Sequence, residues 1–531
     1  MKISINNFYW GFLFIITNTV VDPSCNLSAS SSTIKSKTKS AVNTKQSSRV
    51  QSDLATQLNN QAKLLYAQGK YDEAAQLFRR VLEIDERDLG KEHPDVAACL
   101  NNLALLLKTQ GTYIEAEGLN RRALRILEKQ LGREDPDVAA CLNNLASVLR
   151  EQGLYAETEP LNRRALAIRE KKLGSDHLDV ATSLNNLGYS LLTQGKYAEA
   201  EPLIRRALAI RKKKLDSDAP AVAISFHCLA SLMQIQGNYK EAELLNRRSL
   251  EIREKQLGGD HPDVAESLAN LGELFQTQGK YADAEPLFRR ALKIDEKVFG
   301  KDHPTVAACL NNLANFLRLR GNYVEAEPLL RRSFEIYVKQ LGSEHHTVAI
   351  SMNSLASLLQ DQGKFTEAEL FYRRSLSIRQ QELGSEHPAV AKGLNNLAGL
   401  FVAQGKYAEA KPLYRRALMI NEKKLGHDHI EVAMILHNMA SLLKNQGNYA
   451  ESEALFRRSL AIYVKQLGSE HPSVANSLNG LAVTLEIQDR YSEAEPLYRR
   501  ALAIDEKTLG SDHHVTVLHR NNLNLLLKKM K

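Results

Sequence analysis

A 42-residue period runs through this chain without an insertion or a deletion, and no other feature limits its fold as tightly. Gly69, Gly111, Gly153, Gly195, Gly237, Gly279, Gly321, Gly363, Gly405 and Gly447 stand 42 residues apart, and the next step falls on Asp489. An aromatic follows two residues after each, Tyr in ten units and Phe365 in one. Eleven consecutive units of this length predict an array, in which each unit buries its faces against its neighbours. An array also accounts for a chain of 531 residues, well beyond the ~100–200 of one ordinary domain.

Residues 94–135 show the physics of one unit. Pro94-Asp95-Val96 opens a helix, where proline's missing N–H needs no partner. Val96, Leu100, Leu103, Ala104 and Leu107 recur at helical spacing. Gly111 ends this helix and allows a tight turn. A second helix is expected from about Ile114 to Gln130, with Ala116, Leu119, Ala123, Leu124 and Ile126 on its apolar face. The position of Ala116 is Ala in nine of eleven units, with Thr158 and Ser452 in the others, and that of Ala104 is Ala or Gly throughout. Small residues there let the two helices approach closely. Pro160, Pro202, Pro286, Pro328, Pro412 and Pro496 are expected near the first turn of the second helix, where few hydrogen bonds are lost.

The pattern of small–Leu–Ala, then Gly-x-Tyr-x-x-Ala, then small–Leu resembles the tetratricopeptide repeat, lengthened from ~34 residues to 42. Val96 to Ala104, Arg289-Arg290-Ala291-Leu292-Lys293-Ile294 and the Leu-Gly-x-x-His-Pro joints are similar to the repeats of kinesin light chains. The resemblance spans residues 51–531. It implies an all-α, right-handed superhelical solenoid of stacked antiparallel helix pairs, with partner binding on the concave surface. Residues 1–50 carry no heptad array like the coiled coil that precedes the repeats in kinesin light chains. The expected organisation is residues 51–510 as eleven units and 511–531 as a C-terminal capping helix with a polar end at Lys528, Lys529 and Lys531.

The segment ahead of the repeats differs in composition. Residues 8–21 form an apolar run of fourteen, the length of a signal-peptide core and short of a membrane span. Residues 1–25 are therefore a candidate signal peptide or short hydrophobic anchor. They would give export or membrane attachment if they act so, and a cytoplasmic protein otherwise. Residues 26–50, rich in Ser, Thr and Lys, read as a disordered linker. The first fifty residues hold six basic side chains against Asp22, so they carry five of the net eight positive charges. The body is nearly neutral, which argues against a general polyanion-binding role. Cys99, Cys141 and Cys309 share one repeat position, too far apart for disulfides, and are expected as buried free thiols.

No phosphate loop, H-E-x-x-H, G-x-S-x-G or Cys-x-x-Cys appears, so neither an enzyme nor a cofactor site is expected, nor a small-molecule substrate. Histidines ahead of the helix-opening proline, such as His93, His261, His303, His387 and His471, are whole repeats apart and cannot converge on a metal. The eleven Arg-Arg pairs of the second helices have Glu four residues before the first Arg in nine units. That spacing favours ion pairing over phosphate binding. The binding candidates lie on the first helices. They are Asn101, Asn102, Asn143, Asn144, Asn185, Asn186, Asn311, Asn312, Asn353, Asn395 and Asn396. In tetratricopeptide folds these positions line the groove, and an amide both donates and accepts, which suits an extended peptide backbone. The alternative is that one Asn of each pair bonds the neighbouring helix. Lys108, Arg150, Arg318 and Lys444, with Glu273 and Glu486, stand at variable groove positions, and the basic members point to acidic segments. The function expected is a non-enzymatic scaffold for proteins or peptides. A self-associating structural solenoid is the alternative, and nucleic-acid binding through the Arg ladder is a weaker one.

Overall fold

The computed structural model describes residues 42–531, with side chains from Leu54 onward. Among the described residues there are 23 helices and no strand. Each unit pairs a first helix with a second, as in α3 (Pro94–Thr109) and α4 (Tyr113–Leu131). The expected signal segment and residues 26–41 of the expected linker lie outside the described residues. Helix α1 (Val42–Ala67) begins ahead of the boundary expected at residue 50, so residues 42–50 are helical. No described helix is long and apolar enough to cross a membrane. The chain divides into two compact units. One comprises Leu191–Leu208 and Leu215–Lys531; the other comprises the described residues up to Ser190 with Ala209–Lys214.

The core is made at the joints between repeats. In the earlier unit Val96 and Leu100 of α3, Ala123 and Ile126 of α4, Val138 and Leu142 of α5 (Pro136–Glu151) and Ile168 of α6 (Tyr155–Leu173) form one cluster. In the later unit Val306, Leu310, Ile336, Val348, Met352 and Ile378 repeat that arrangement. Truncating one such leucine to alanine costs about 2–5 kcal/mol, and the loss is felt by two repeats at once. Close approach explains the small residues: a Cβ on Gly272 would sit 3.1 Å from the Phe288 ring.

Polar groups buried at the same joints differ from one to the next. The Cys99 thiol donates to Asp85 at 2.8 Å, and Cys309 donates to Asp295 at 3.3 Å. At the equivalent place Arg169 donates to Ser183 (2.9 Å), Arg253 donates to Ser267 (2.8 Å), and His519 pairs with Asp505 (2.5 Å). The thiols at Cys99, Cys141 and Cys309 are buried and free, and burial raises their pKa values, that of Cys141 to about 12.

Histidines open the first helices by capping. The Asp95 N–H donates to His93 Nδ1 (3.2 Å), and the Asp263 N–H to His261 Nδ1 (3.1 Å). Asp135 does the same through its carboxylate at 2.9 Å. The prolines of the second helices sit deeper than expected. Pro160 is the sixth residue of α6, past the free N–H groups of the first turn, so one backbone bond is forgone. Its exposed position leaves the orphaned carbonyl to solvent. Gly111 turns at φ +77°, and Asp489 holds the same place at φ +59°, a conformation Asp tolerates better than most side chains. The last described helix is α23 (His514–Lys529). Thr516, Arg520 and Asn524 stand there where the preceding first helix has Val474, Leu478 and Ala482.

Within the later unit, residues 234 apart touch. A Cβ on Gly195 would lie 2.9 Å from the His429 ring, on Gly237 2.9 Å from His471, and on Gly279 2.6 Å from His513. Tyr281 Oη lies 3.4 Å from His514 Nδ1. Turns of three consecutive repeats thus rest on helix starts about five and a half repeats further on. A comparison of Gly237→Ala with Gly321→Ala isolates this contact. Both glycines have similar positive φ, +74° and +78°, but nothing lies within 4 Å of a Cβ at Gly321. Both substitutions should destabilise through φ, and Gly237→Ala should cost about 1–3 kcal/mol more in urea denaturation. Equal losses would mean that the His471 contact contributes nothing.

Candidate functional site

The two kinds of helix present chemically opposite faces. On the second helices charges are paired. Arg121 bonds Glu117 (2.7 Å) and Glu157 (3.3 Å), Arg122 reaches Glu86 (2.6 Å), and Lys129 reaches Glu92 (3.0 Å). The same links recur at Arg289 with Glu285 and Glu325, and at Arg332 with Glu296. A phosphate binding to the Arg ladder would have to displace carboxylates already in place.

The first helices carry their polar residues inward, and short side chains hydrogen-bond from one repeat to the next. Asn438 donates to Asn395 (3.0 Å), Asn396 to Asn353 (2.5 Å), and Asn522 to Asn479 (3.0 Å). Asn270 and His227 meet at 3.0 Å. In the earlier unit Asn143 donates to Ser183 (3.3 Å), and Asn101 accepts from Cys141 (3.3 Å). Residues of both positions of the pair therefore meet at the seam between successive first helices. Asn102 is buried; Asn144, Asn186 and Asn312 are half-buried. The seam is not fully satisfied. The amide oxygens of Asn143 and Asn396, and both amide atoms of Asn185 and Asn311, are buried without a hydrogen-bond partner. A buried polar group left so costs about 1–3 kcal/mol.

Most charged groove candidates are engaged. Arg318 pairs with Asp361 at 2.5 Å, both buried. Arg150 pairs with Glu151 (2.9 Å) and lies over the Tyr189 ring, and Lys108 donates to Ser147 (3.3 Å). Glu486 receives Lys529 and Tyr498. Lys444 sits on α19 (Ile430–Asn445), where burial lowers its pKa. Glu273 on α11 (Pro262–Thr277) stands apart: it is half-buried, and burial raises its carboxyl to about 8. Glu266, Lys392 and Glu431 are also half-buried and were not singled out from sequence. Glu266 is bonded to Arg253, while Lys392 and Glu431 attract each other. Their common repeat position could have marked Glu266 and Lys392.

The Tetratricopeptide repeat family matches residues 53–129, 137–213, 221–297, 277–337, 305–381, 348–423 and 431–507. The chain belongs to the tetratricopeptide repeat family. Among solved structures this tetratricopeptide array is similar to a putative kinesin light chain of nearly identical TPR-like repeats from Podosopora anserina. Identity is 29% over 39% of this chain and 97% of that one, with a TM-score of 0.34. BtubC (BKLC) from P. vanneervenii is 24% identical over 44% of this chain and 92% of its own, TM-score 0.36. A Rap protein complexed with competence and sporulation factor is 16% identical over 70% and 99%, TM-score 0.47. No curated protein matches the chain. Among the described residues no group of three or more His, Cys, Asp or Glu could hold a metal ion.

The buried imidazoles and Glu273 give opposite pH limbs. Burial lowers His227 and His437 to about 3, and His429, His471 and His513 to about 4. Unfolded imidazoles take up protons near pH 6.5, so their contribution is intact above about 6.5 and is lost as pH falls toward 4. Glu273 is protonated in the fold up to about 8 and only to about 4.5 when unfolded. Its contribution is therefore present below about 4.5 and lost as pH rises through 8. Glu273→Gln should leave the acid limb unchanged and raise the melting temperature at pH 8.5 by ~1–3 °C. Identical melting curves at pH 8.5 would contradict the burial argument.

Proposed function

We propose that this tetratricopeptide protein is a non-enzymatic scaffold that binds extended segments of partner proteins along the inner face of its first helices. Tetratricopeptide repeats generally mediate protein–protein interaction, and the observation that carries the reading here is the unmet amides of the first helices, at Asn143 and Asn185 in the earlier unit and at Asn311 and Asn396 in the later one. An amide offers one acceptor and two donors, the complement of a peptide unit. Asn143 and Asn185 stand one repeat apart, and Asn311 and Asn396 two repeats and one residue apart, spacings that suit a long ligand better than a compact one. The outer Arg ladder supports no rival role in nucleic-acid binding, because its members are held by Glu117, Glu157, Glu86, Glu285 and their equivalents. The acidic-partner preference expected from the basic groove positions is weakened in the same way at Lys108, Arg150 and Arg318.

The test is selection of random dodecapeptides on the immobilised full-length chain, followed by affinities for the enriched sequences. Asn185→Ala or Asn311→Ala, with helicity retained, should weaken binding roughly ten-fold through loss of backbone hydrogen bonds. Arg289→Ala on the outer face should leave it unchanged. Peptides that bind all three variants alike would place recognition away from the inner face.

A further inference from the structure

The joint between the first two repeats encloses a cavity of about 520 Å³ between the end of α2 (Tyr71–Leu89), the loop ahead of α3 and the later turns of α4. Buried Ile126 forms part of its wall, and the other lining residues are charged. Glu86 and Glu92 are already engaged, by Arg122 at 2.6 Å and Lys129 at 3.0 Å. Lys91 and Arg125 line the same cavity and are exposed. Neither side chain has a hydrogen bond or an ion pair among the described residues. Two positive charges are thus left over in an open cavity of the earlier unit.

The other joints serve as internal controls. The pairing of Lys129 with Glu92 recurs as Lys171 with Glu134 and as Lys507 with Glu470, so it belongs to the repeat. The two additional cations do not. In steps of 42 residues, the places of Lys91 and Arg125 hold Ser175 and Ala209, Ser343 and Ser377, or Ser469 and Ala503. Arg133 is matched with Ala167, Lys293 with Gly259, and Lys301 with Glu335. At none of the nine other joints are both places basic. The array therefore folds without this pair, and bringing two like charges to one cavity costs electrostatic energy.

We propose that the cavity binds the dianion of a phosphate monoester, with Arg125 and Lys91 as its ligands. The guanidinium presents a planar fork that matches two phosphate oxygens, and the ammonium adds a compact charge. A dianion neutralises both charges left over, whereas a single carboxylate leaves one unmet. Arg122 keeps Glu86, so the Arg ladder stays closed. The cavity is larger than a phosphate group, and Ile126 offers the rest of the ligand an apolar contact. Free phosphate esters and phosphorylated serine carry the same group, and the experiment separates these two sources. None of the seam amides takes part, so this site and the inner-face reading stand or fall separately.

The experiment is isothermal titration of the full-length chain at low salt. The probes are phenyl phosphate, benzoate, and pools of dodecapeptides degenerate around a central phosphoserine or serine. Phenyl phosphate should bind at one site, and benzoate, with one charge on the same ring, roughly ten-fold more weakly. Lys91→Ser combined with Arg125→Ala installs the pair that the chain already carries at Ser175 and Ala209, so the fold should hold, with circular dichroism as the check. This double variant should lose phenyl phosphate affinity by roughly ten-fold or more, and Lys293→Ala should leave it unchanged. Added salt should weaken wild-type binding. Phosphoserine pools that bind more tightly than phenyl phosphate, through the same two residues, identify a phosphorylated partner segment as the source. Pools that bind no more tightly identify a free ester. Equal affinity of wild type and double variant for phenyl phosphate, equal affinity of the wild type for benzoate, or no binding of either phosphate probe overturns the site.

Discussion

A helix pair of this length cannot bury both of its apolar faces, and the whole array follows from that deficit. Val96 and Leu100 are sealed only because Val138 and Leu142 of the next repeat stack on them. Each joint must therefore form with the same geometry as the last. This explains both the constant 42-residue spacing and the small residues at the close contacts, such as Ala116 and Gly272. An array of alike joints risks pairing out of order. The buried partners Asp85–Cys99, Arg253–Ser267 and Asp505–His519 differ in chemistry. A joint formed between the wrong repeats would set a carboxylate against a serine or a guanidinium against a thiol. Buried polar pairs of this kind add little net stability and are best explained by the alternatives they penalise.

The same construction divides the surface into two regimes. Exposed ion pairs on the second helices are individually weak, ~0.2–1 kcal/mol each, yet they run from repeat to repeat and leave the outer face electrically closed. Polar groups at the seams between first helices lose water whether or not they find partners. Amides at the seams partly satisfy one another, and Arg318 finds Asp361. Where partners are missing, at Asn185 and Asn311, the deficit is tolerated because neighbouring joints supply the burial. A groove that is rigid before it binds loses little conformational entropy when it does.

Much of the fold was legible in the sequence because its determinants are local. The positive-φ turn at Gly111, the opening proline of α3 and the apolar stripe from Val96 to Leu107 each specify structure within a few residues. Capping by His93 follows from the same short range. The site was harder to read because its decisive relations lie 39, 40 or 43 residues apart. Asn353 and Asn396 look alike in sequence, yet one accepts at the seam and the other donates across it. Arg318 reads as a free groove cation until Asp361, one repeat and one residue further on, is seen to meet it.

The contacts 234 residues apart belong to neither scale. They arise from the accumulated rotation of successive joints, and no single repeat encodes them. His429, His471 and His513 serve two purposes there: Nδ1 caps a helix while the ring packs on a glycine turn of an earlier repeat. A small change of angle at each intervening joint would be summed over about five repeats and would separate ring from turn. Conversely, holding ring on turn fixes the sum of those angles, and with it the spacing between first helices on which a peptide would lie. Ligands that stretch or tighten the inner face of the later unit must therefore work against these contacts.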